Sequence, residues 1–434
     1  MSKIFKARTE GALCSTLKHG DKPALPKKLP NILITTPESL DSLICRRPGV
    51  FVNLRAVILD EIHLLDNTFR GDQLRLLLKR IQKISASPSF SIHLLSATLS
   101  KPDEIAKRYV DNFAIVRVVG QREIDFEILS NHEEIFQFAR KRGLKKILYF
   151  CNLRQSVENL ANEIKELWHP YPVFAHHGSL SRYVREEAEK MMKEIDVGAC
   201  VATSTLEIGI DIGDIDLIVL AEPPWSIAAM LQRLGRGNRR RQRILAVASA
   251  STDEEKQILE AMFKMVANGE LSTEPYMADI SVGVQQIFSN LYQHPEGLPE
   301  NEFIELLSPL CTEEEVKLIL GHLKKVDWIE FRGGHWFAST KLMDLGYRGR
   351  IHSNIPDMEA YKVVDVDSGK EIGTIGGFLD NVFVLARRAW QIVSIEGNII
   401  KARRFKGKAT SAIFKPRRNI GAFFYLLPPE LRSH

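Results

Sequence analysis

The sequence is poor in cysteine, and what cysteine it has is scattered. Cys14, Cys45, Cys151, Cys200 and Cys311 include no Cys-x-x-Cys pair, so the spacing that holds zinc or an iron–sulfur cluster is missing. Scattered thiols fit a reducing compartment. No run approaches the ~18 unbroken apolar residues of a membrane-spanning helix. The N-terminal MSKIFKARTEGALC has neither the apolar core nor the cleavage site of a secretory signal. Low-complexity segments are also absent. Charge is nearly balanced: 59 Lys and Arg stand against 54 Asp and Glu, a formal net charge of +5. That mild basic bias fits a polyanionic partner without requiring one. These absences together predict a soluble, cytoplasmic protein.

What is present is an ordinary globular composition, 44% hydrophobic and 26% charged. The length suggests about three domains at ~150 residues each. Residues 1–119 alternate short apolar runs with helical segments. Ile32–Thr35, Ala56–Leu59 and Ile92–Leu95 are continuous apolar runs, the signature of parallel strands covered on both faces. Residues 120–275 repeat the theme with Lys146–Phe150, Ala199–Thr203, Leu217–Leu220 and Ile244–Val247. Two tandem β/α lobes are therefore expected.

The pattern changes over 276–345. Thr312-Glu313-Glu314-Glu315 is a capping box. Val316, Ile319, Leu320, Leu323 and Val326 then share one helix face. Gly333-Gly334, between two short apolar runs, signals a hairpin. Helices followed by a hairpin predict a winged helix. Residues 346–434 hold closely spaced strand candidates at 361–366, 382–385, 391–395 and 399–404, which predict a small sheet or barrel. Trp390 is read as core.

The first chemical signal is Asp60-Glu61 at the end of an apolar strand, where α/β sheets place their ligands. In a nucleotide-hydrolysing site such an Asp holds Mg²⁺, and a neighbouring carboxylate orients the attacking water. An acidic turn alone is common; its company is not. Downstream and upstream lie Thr36-Pro37-Glu38-Ser39, Asp60-Glu61-Ile62-His63, Ser96-Ala97-Thr98, Phe150-Cys151-Asn152-Leu153-Arg154, Ala202 to Asp211, and Gln232 to Arg239. In this order the set resembles the motifs of superfamily 2 DExH-box helicases. His176-His177-Gly178-Ser179-Leu180-Ser181, LEIGIDIGDID at 206–216 and ILITTPESL at 32–40 look like the large helicase-related (Lhr) family, as do the winged helix and Gly376-Gly377-Phe378 through Ala389-Trp390. The chain departs from that pattern at Asn238, where the family usually has Gly.

The resemblance implies an α/β fold of two RecA-like lobes, the first incomplete, followed by a winged helix and a β-rich, basic C-terminal domain. It implies ATP and Mg²⁺ as cofactors, and 3′-to-5′ movement on single-stranded DNA in repair, with RNA or a hybrid left open. Asp60 is then the Mg²⁺ ligand, with Glu61, Arg236 and Arg239 catalytic and Arg239 the finger. Gly209, Asp211 and Gln232 face the nucleotide. His63, Ser96 and Thr98 couple hydrolysis to movement. Thr36, Pro37, Ser39, Arg154, Thr203 and Ser204 contact the strand, through phosphates rather than bases. Arg236 and Arg239, three residues apart, are expected on one helix turn. Two simpler readings stay open: Thr36 and Thr203 as caps at strand ends, and Arg239 to Arg243 as a solvated basic face. The tail adds Lys401, Arg403, Arg404, Lys406, Lys408, Lys415, Arg417 and Arg418 with Phe405 and Phe414 between them, either a phosphate-tracking patch or a solvated surface.

One part is missing. The phosphate-binding loop G-x-x-x-x-G-K-[ST] occurs nowhere in the 434 residues. Gly407-Lys408-Ala409-Thr410 lacks the preceding Gly and the strand–loop–helix frame. Without the loop, the backbone cradle and the Lys that hold the β- and γ-phosphates are absent, and the first sheet lacks a central strand. The expectation is a truncated motor, or a split one whose phosphate loop comes from another polypeptide. The alternative is a nucleic-acid-binding remnant without turnover.

Overall fold

The computed structural model describes residues 12–15, 31–86, 90–96, 101–116, 123–206, 212–237, 243–267, 275–355, 361–375, 382–386, 388–396, 398–405, 410–411 and 421–432. The chain forms two compact units, each assembled from separated segments. The first gathers Met1–Val116, Glu274–Asp357 and Arg418–His434; the second gathers Arg117–Thr273 and Met358–Arg417. Each unit therefore combines one β/α lobe with part of the C-terminal half.

The second unit contains a six-stranded sheet, parallel throughout. Its order is Glu123–Leu129, Arg243–Ser249, Leu217–Leu220, Lys146–Phe150, Gly198–Ala202, Val173–His176. The continuous apolar runs are explained by burial on both faces. Leu148, Phe150, Cys200, Ile218 and Leu220 enter one core, with the helices Ile227–Leu234 and Asp253–Ala267. Ile147, Tyr149, Val201, Leu217 and Val219 point the other way, against the helix Arg154–Trp168. Alternate residues of a strand face opposite sides, so a strand buried twice must be apolar at every position. Each fully buried Ile, Leu or Phe contributes about 1.5–3 kcal/mol.

The same unit carries a second, mixed six-stranded sheet. Its order is Glu371–Ile375, Tyr361–Asp365, Ile399–Arg404, Arg388–Glu396, Val382–Leu385, Thr410–Ser411. The strands Glu371–Ile375 and Thr410–Ser411 were not among those expected. Trp390 is buried, and its indole N–H donates to Leu385 O at 2.8 Å. In the basic tail, Arg403 and Arg404 are exposed, and Arg403 pairs with Asp367 at 3.2 Å. Lys406, Lys408, Phe414, Lys415, Arg417 and Arg418 lie outside the described residues.

The first unit is built differently. Among the described residues its lobe has two separate parallel pairs, Ala12–Ser15 with Ile32–Thr35 and Ala56–Leu59 with Ser91–Leu94. The expectation that these strands are covered on both faces does not hold. Ile58 is 64% exposed, Leu95 48% and Ile34 41%. Burial along 32–35, 56–59 and 91–94 alternates instead of being continuous. One side packs on a core of Leu40, Ile44, Leu59, Ile62 and Leu77; among the described residues no helix layer covers the other.

The C-terminal half of this unit has the helices Ser281–Gln293, Glu300–Leu307, Glu313–Lys325 and Thr340–Tyr347, with a three-stranded antiparallel sheet of Leu298–Pro299, His335–Ala338 and Ile329–Arg332. Both halves of the capping box form: Thr312 accepts from Glu315 N–H, and the Glu315 carboxylate accepts from Thr312 N–H at 2.7 Å. Val316, Ile319, Leu320 and Leu323 are buried, but Val326 is the C-cap and 36% exposed. Gly333 and Gly334 both have positive φ, 56° and 81°, as a two-residue turn requires. Among the described residues no helix is long and apolar enough to cross a membrane.

Candidate active site

In the first unit the carboxylate motif follows its strand directly. Leu59 ends the strand, Asp60 is exposed, and Glu61 sits in the left-handed region at φ 51°. A residue with a Cβ rarely holds that conformation, and here it turns the chain sharply after the strand. Glu61 N–H donates to Asp60 Oδ1 at 3.1 Å. Ile62 N–H donates to Leu95 O at 3.1 Å, tying the turn to the neighbouring strand end. That tie delivers Ser96 to His63: Nδ1 and the Ser96 hydroxyl lie 2.7 Å apart. A Glu61 carboxylate oxygen approaches the same nitrogen, 3.6 Å from Nδ1. Burial lowers the His63 pKa more than the charges of Glu61 and Asp60 raise it, so the ring is neutral near pH 7. A neutral imidazole can either donate to or accept from a hydroxyl. The structure thus brings Asp60, Glu61, His63 and Ser96 together; Thr98 lies outside the described residues.

Thr36, Pro37 and Ser39 occupy the start of the helix Pro37–Arg46. Thr36 is its N-cap, accepting from Ser39 N–H at 3.4 Å, and Pro37 takes the first turn, where its missing N–H costs nothing. The simpler reading of Thr36 as a cap is thus realised in the geometry. Ser39 is buried. Glu38 makes a two-pronged pair with Arg70 at 2.6 and 3.1 Å, which fixes this turn against the helix Phe69–Ile84.

One turn further, Asp41 is fully buried and accepts from five groups. They are His352 Nδ1 (2.7 Å), Arg80 (2.8 Å), the Ser289 hydroxyl (2.8 and 2.9 Å), Gln286 (3.1 Å) and Gln285 (3.4 Å). Burial pushes the Asp41 carboxyl up, but the His352 hydrogen bond and the Arg80 charge outweigh it and hold the pKa below the ordinary range. Burial also works against charge on His352, yet Asp41 prevails and the ring is pushed up to about 9. Cys45 joins Asp41 and His352 as a trio with metal-ligand spacing. Arg80 already serves as the cation there, at 2.8 Å from Asp41 and 3.5 Å from Cys45 Sγ, so the cluster fits an ion-pair network better than a metal. None of this network was legible as a site in the sequence, because its members are separated by up to 311 positions.

In the second unit the strand order reverses beside Lys146–Phe150, and candidate groups gather at that strand's carboxyl end. Asn152 N–H donates to Glu222 at 2.8 Å, and its amide donates to Pro223 O at 2.9 Å. Arg154 opens the helix Arg154–Trp168 and donates to the Ser179 hydroxyl at 2.6 Å. Thr203 is buried, its N–H donating to His176 O at 3.2 Å; Ser204 is exposed at the start of a short turn. His176 bridges Thr205 (2.8 Å) and Glu189 (3.0 Å). Burial disfavours its charged form more than Glu189 favours it, so its pKa lies below the ordinary value.

Gln232 lies near the end of the helix Ile227–Leu234. Arg236 falls beyond that end, in a turn whose amide donates to Arg233 O at 3.1 Å. The expectation that Arg236 stands on a helix turn is corrected: the helix stops at Leu234. Gly237 packs closely, since a Cβ there would lie 2.8 Å from Ile218 Cγ1. Gly209, Asp211 and Arg239 lie outside the described residues. Ser179 and Glu222 are the site neighbours that sequence reading passed over. Ser179 stood inside a motif already quoted, so its signal was available; Glu222 follows a strand with no distinguishing neighbours.

The chain can be set beside known proteins on this geometry. The DEAD/DEAH box helicase family matches residues 1–105, and the helicase conserved C-terminal domain matches 128–241. The ATP-dependent helicase Lhr-Core of Methanothermobacter thermautotrophicus is 28% identical over 446 residues, covering 90% of this chain and 50% of that protein. Lhr-Core of Methanocaldococcus jannaschii is 36% identical over 240 residues, covering 50% of this chain and 28% of that protein. The chain thus spans half or less of the length of these relatives. Among solved structures, Mycobacterium smegmatis helicase Lhr bound to ssDNA and AMP-PNP aligns with a TM-score of 0.68 at 24% identity, covering 80% of this chain and 50% of that one. Helicase MrfA bound to DNA gives 0.69 at 20% identity, covering 91% and 60%. Both support the fold.

Proposed function

This chain belongs to the Lhr-like DExH-box helicases of superfamily 2, and from that premise we propose that it supplies the hydrolytic and strand-gripping groups of an ATP-driven motor acting on single-stranded DNA. The observation that carries the reading is the 2.7 Å contact of His63 with Ser96. It joins the carboxylates of one strand end to the motif at the next, as coupling of hydrolysis to movement needs. Relatives named as ATP-dependent helicases, and an Lhr structure described as bound to ssDNA and AMP-PNP, support the substrate and cofactor.

The residues present fit a hard divalent cation. Asp60 offers exposed carboxylate oxygens at a strand end, and Mg²⁺ takes one or two carboxylates with water completing its shell. Bound with ATP, the ion supplies charge neutralisation at the phosphates. The chain's own groups then divide the work. Glu61, fixed by its left-handed turn, orients water and accepts its proton. Arg236 and Arg239 stabilise charge on the transferred phosphoryl group, with Gly209, Asp211 and Gln232 around the nucleotide. Thr36, Pro37, Ser39, Arg154, Thr203 and Ser204 hold strand phosphates, which suits a motor indifferent to sequence. The phosphate loop, absent from these 434 residues, is assigned to a segment outside them, in a longer form of the chain or in a second polypeptide.

The test is a purified-protein comparison. The 434-residue chain is expected to bind a single-stranded oligodeoxynucleotide and to hydrolyse ATP slowly. Adding a polypeptide with G-x-x-x-x-G-K-[ST] should raise DNA-stimulated hydrolysis, and Glu61→Gln should abolish the gain. Robust hydrolysis by the chain alone, lost in Glu61→Gln, would sink the assignment of the loop to another segment. No hydrolysis in any combination would leave a binding remnant.

A further inference from the structure

The C-terminal sheet of the second unit is joined to the lobe at the loop His177–Ser181. Thr374 N–H donates to Ser179 O at 2.6 Å, Ser181 N–H donates to Ile372 O at 2.8 Å, and Leu180 bridges Gly373 in antiparallel register. A side chain at 373 would not fit. Its Cβ would lie 2.3 Å from Ser179 O and 3.1 Å from Leu180 Cα, both backbone atoms.

A second contact lies behind the loop. Ser179 N–H donates to His177 Nδ1 at 3.3 Å, so the ring carries its proton on Nε2, which donates to Glu158 at 2.8 Å. The same Glu158 oxygen accepts Ala386 N–H, from the C-terminal sheet, at 2.8 Å. Glu158 and His177 are fully buried. Ala386 holds φ 53°, a conformation that a residue with a Cβ keeps only when its surroundings enforce it. The loop is therefore gripped from two sides by one sheet. The Ser179 hydroxyl then accepts from Arg154 at 2.6 Å.

We propose that the C-terminal sheet is a positioning collar for the strand-contacting Arg154. By gripping the backbone of Ser179 it fixes that hydroxyl, and the hydroxyl aims the guanidinium at a strand phosphate. Ser179, Gly373 and Glu158 are positioning residues; Arg154 makes the contact. The inference rests on the reading of Arg154 as a strand contact. Aim matters because a charge-assisted hydrogen bond to phosphate is directional, and a guanidinium offers its donors in a fixed fork.

The experiment uses the full 434-residue chain and a fluorescein-labelled oligodeoxythymidine, read by anisotropy. Arg154→Ala should weaken binding about tenfold. Ser179→Ala keeps the backbone bonds to the sheet and should weaken it about three- to tenfold. Ser179→Thr should restore it. The double variant Ser179→Ala with Arg154→Ala should bind no worse than Arg154→Ala, because both act through one contact. Gly373→Val should reproduce Ser179→Ala without adding to it. Should Gly373→Val not fold, the Ser179 series decides alone. Additive losses in the double variant overturn the collar, as does normal binding by Gly373→Val while Arg154→Ala is impaired. Unchanged binding in Arg154→Ala overturns the underlying reading of Arg154 and the collar with it.

Discussion

In the second lobe, Leu148 and Ile218 lie in the middle of six parallel strands and are completely buried. In the first lobe, Ile58 lies in an equally apolar strand and is 64% exposed. The local sequences are alike: Ala56–Leu59 reads AVIL, Leu217–Leu220 reads LIVL. The difference lies in what surrounds them. The second lobe has helices on both faces of a continuous sheet, so it contains its own core. The first has paired strands over one core, and much of its anchoring comes from the C-terminal half of its unit. Asp41, Arg80 and His352, with Ser289 and the two glutamines, provide that anchoring as a buried polar network. One lobe is held by apolar layers on both faces, the other by a one-sided apolar core together with a charged cluster, and the two should respond differently to the same perturbations.

The largest effect is expected at Asp41. Asp41→Ala leaves Arg80 and His352 buried without their anion and should destabilise the first unit by about 3–5 kcal/mol. Hydrogen exchange resolved by segment would show this as faster exchange in 37–46 and 281–293, with the second lobe unchanged. Equal loss across both units would break the comparison.

Next comes a matched pair. Leu148→Ala removes a fully buried side chain and should cost about 2–5 kcal/mol. Ile58→Ala removes an exposed one and should stay within about 0.5 kcal/mol. Urea denaturation of the two variants checks both. A large cost at Ile58 would mean that its strand face is covered in solution.

The pH responses should have opposite signs. The His352 pKa is raised from 6.5 to about 9 in the fold. Its contribution is therefore full below pH 6.5 and is lost as pH rises through about 9. The carboxyl of Asp41, depressed in the fold, contributes above its ordinary value and loses that contribution only in acid. The His176 pKa is lowered, so the unfolded state binds the extra proton first, and the second unit should lose stability as pH falls below 6.5. Exchange protection followed from pH 6 to 9 should fall in the first unit while the second holds. Parallel profiles would refute the sign difference. His352→Gln should flatten the decline in the first unit.

The smallest effect separates capping from strand contact at Thr36. Thr36→Ala should cost about 1 kcal/mol, whereas Thr36→Asn keeps a capping oxygen and should leave stability close to unchanged. If both weaken oligonucleotide binding equally, the hydroxyl has a role beyond the cap. If binding simply follows stability, Thr36 is a cap only.

Much of this molecule was legible residue by residue. The Thr312–Glu315 capping box, the Gly333-Gly334 turn, buried Trp390 and four of the six strands of the second-lobe sheet follow from local rules: hydrogen-bond satisfaction at a helix start, positive φ, and apolar runs matched to double burial; Glu123–Leu129 and Val173–His176 were not expected. Other features were not legible. The end of the helix at Leu234, which leaves Arg236 beyond it, was not expected, although Gly235 stands at its C-cap. The exposure of Ile58 depends on neighbours, which an apolar run cannot report.

By itself, the sequence determined the family, the order of the motifs, the strand-end position of Asp60-Glu61 and the lack of a phosphate-loop motif within these 434 residues, because each motif is, or would be, written within a few consecutive residues. Only the tertiary structure decided that His63 meets Ser96, that Arg154 meets Ser179, and that Asp41 is bound by His352, 311 positions away. Hydrogen bonds of that kind depend on where packing places two backbones. Apolar burial fixes that placement, and no local pattern records it.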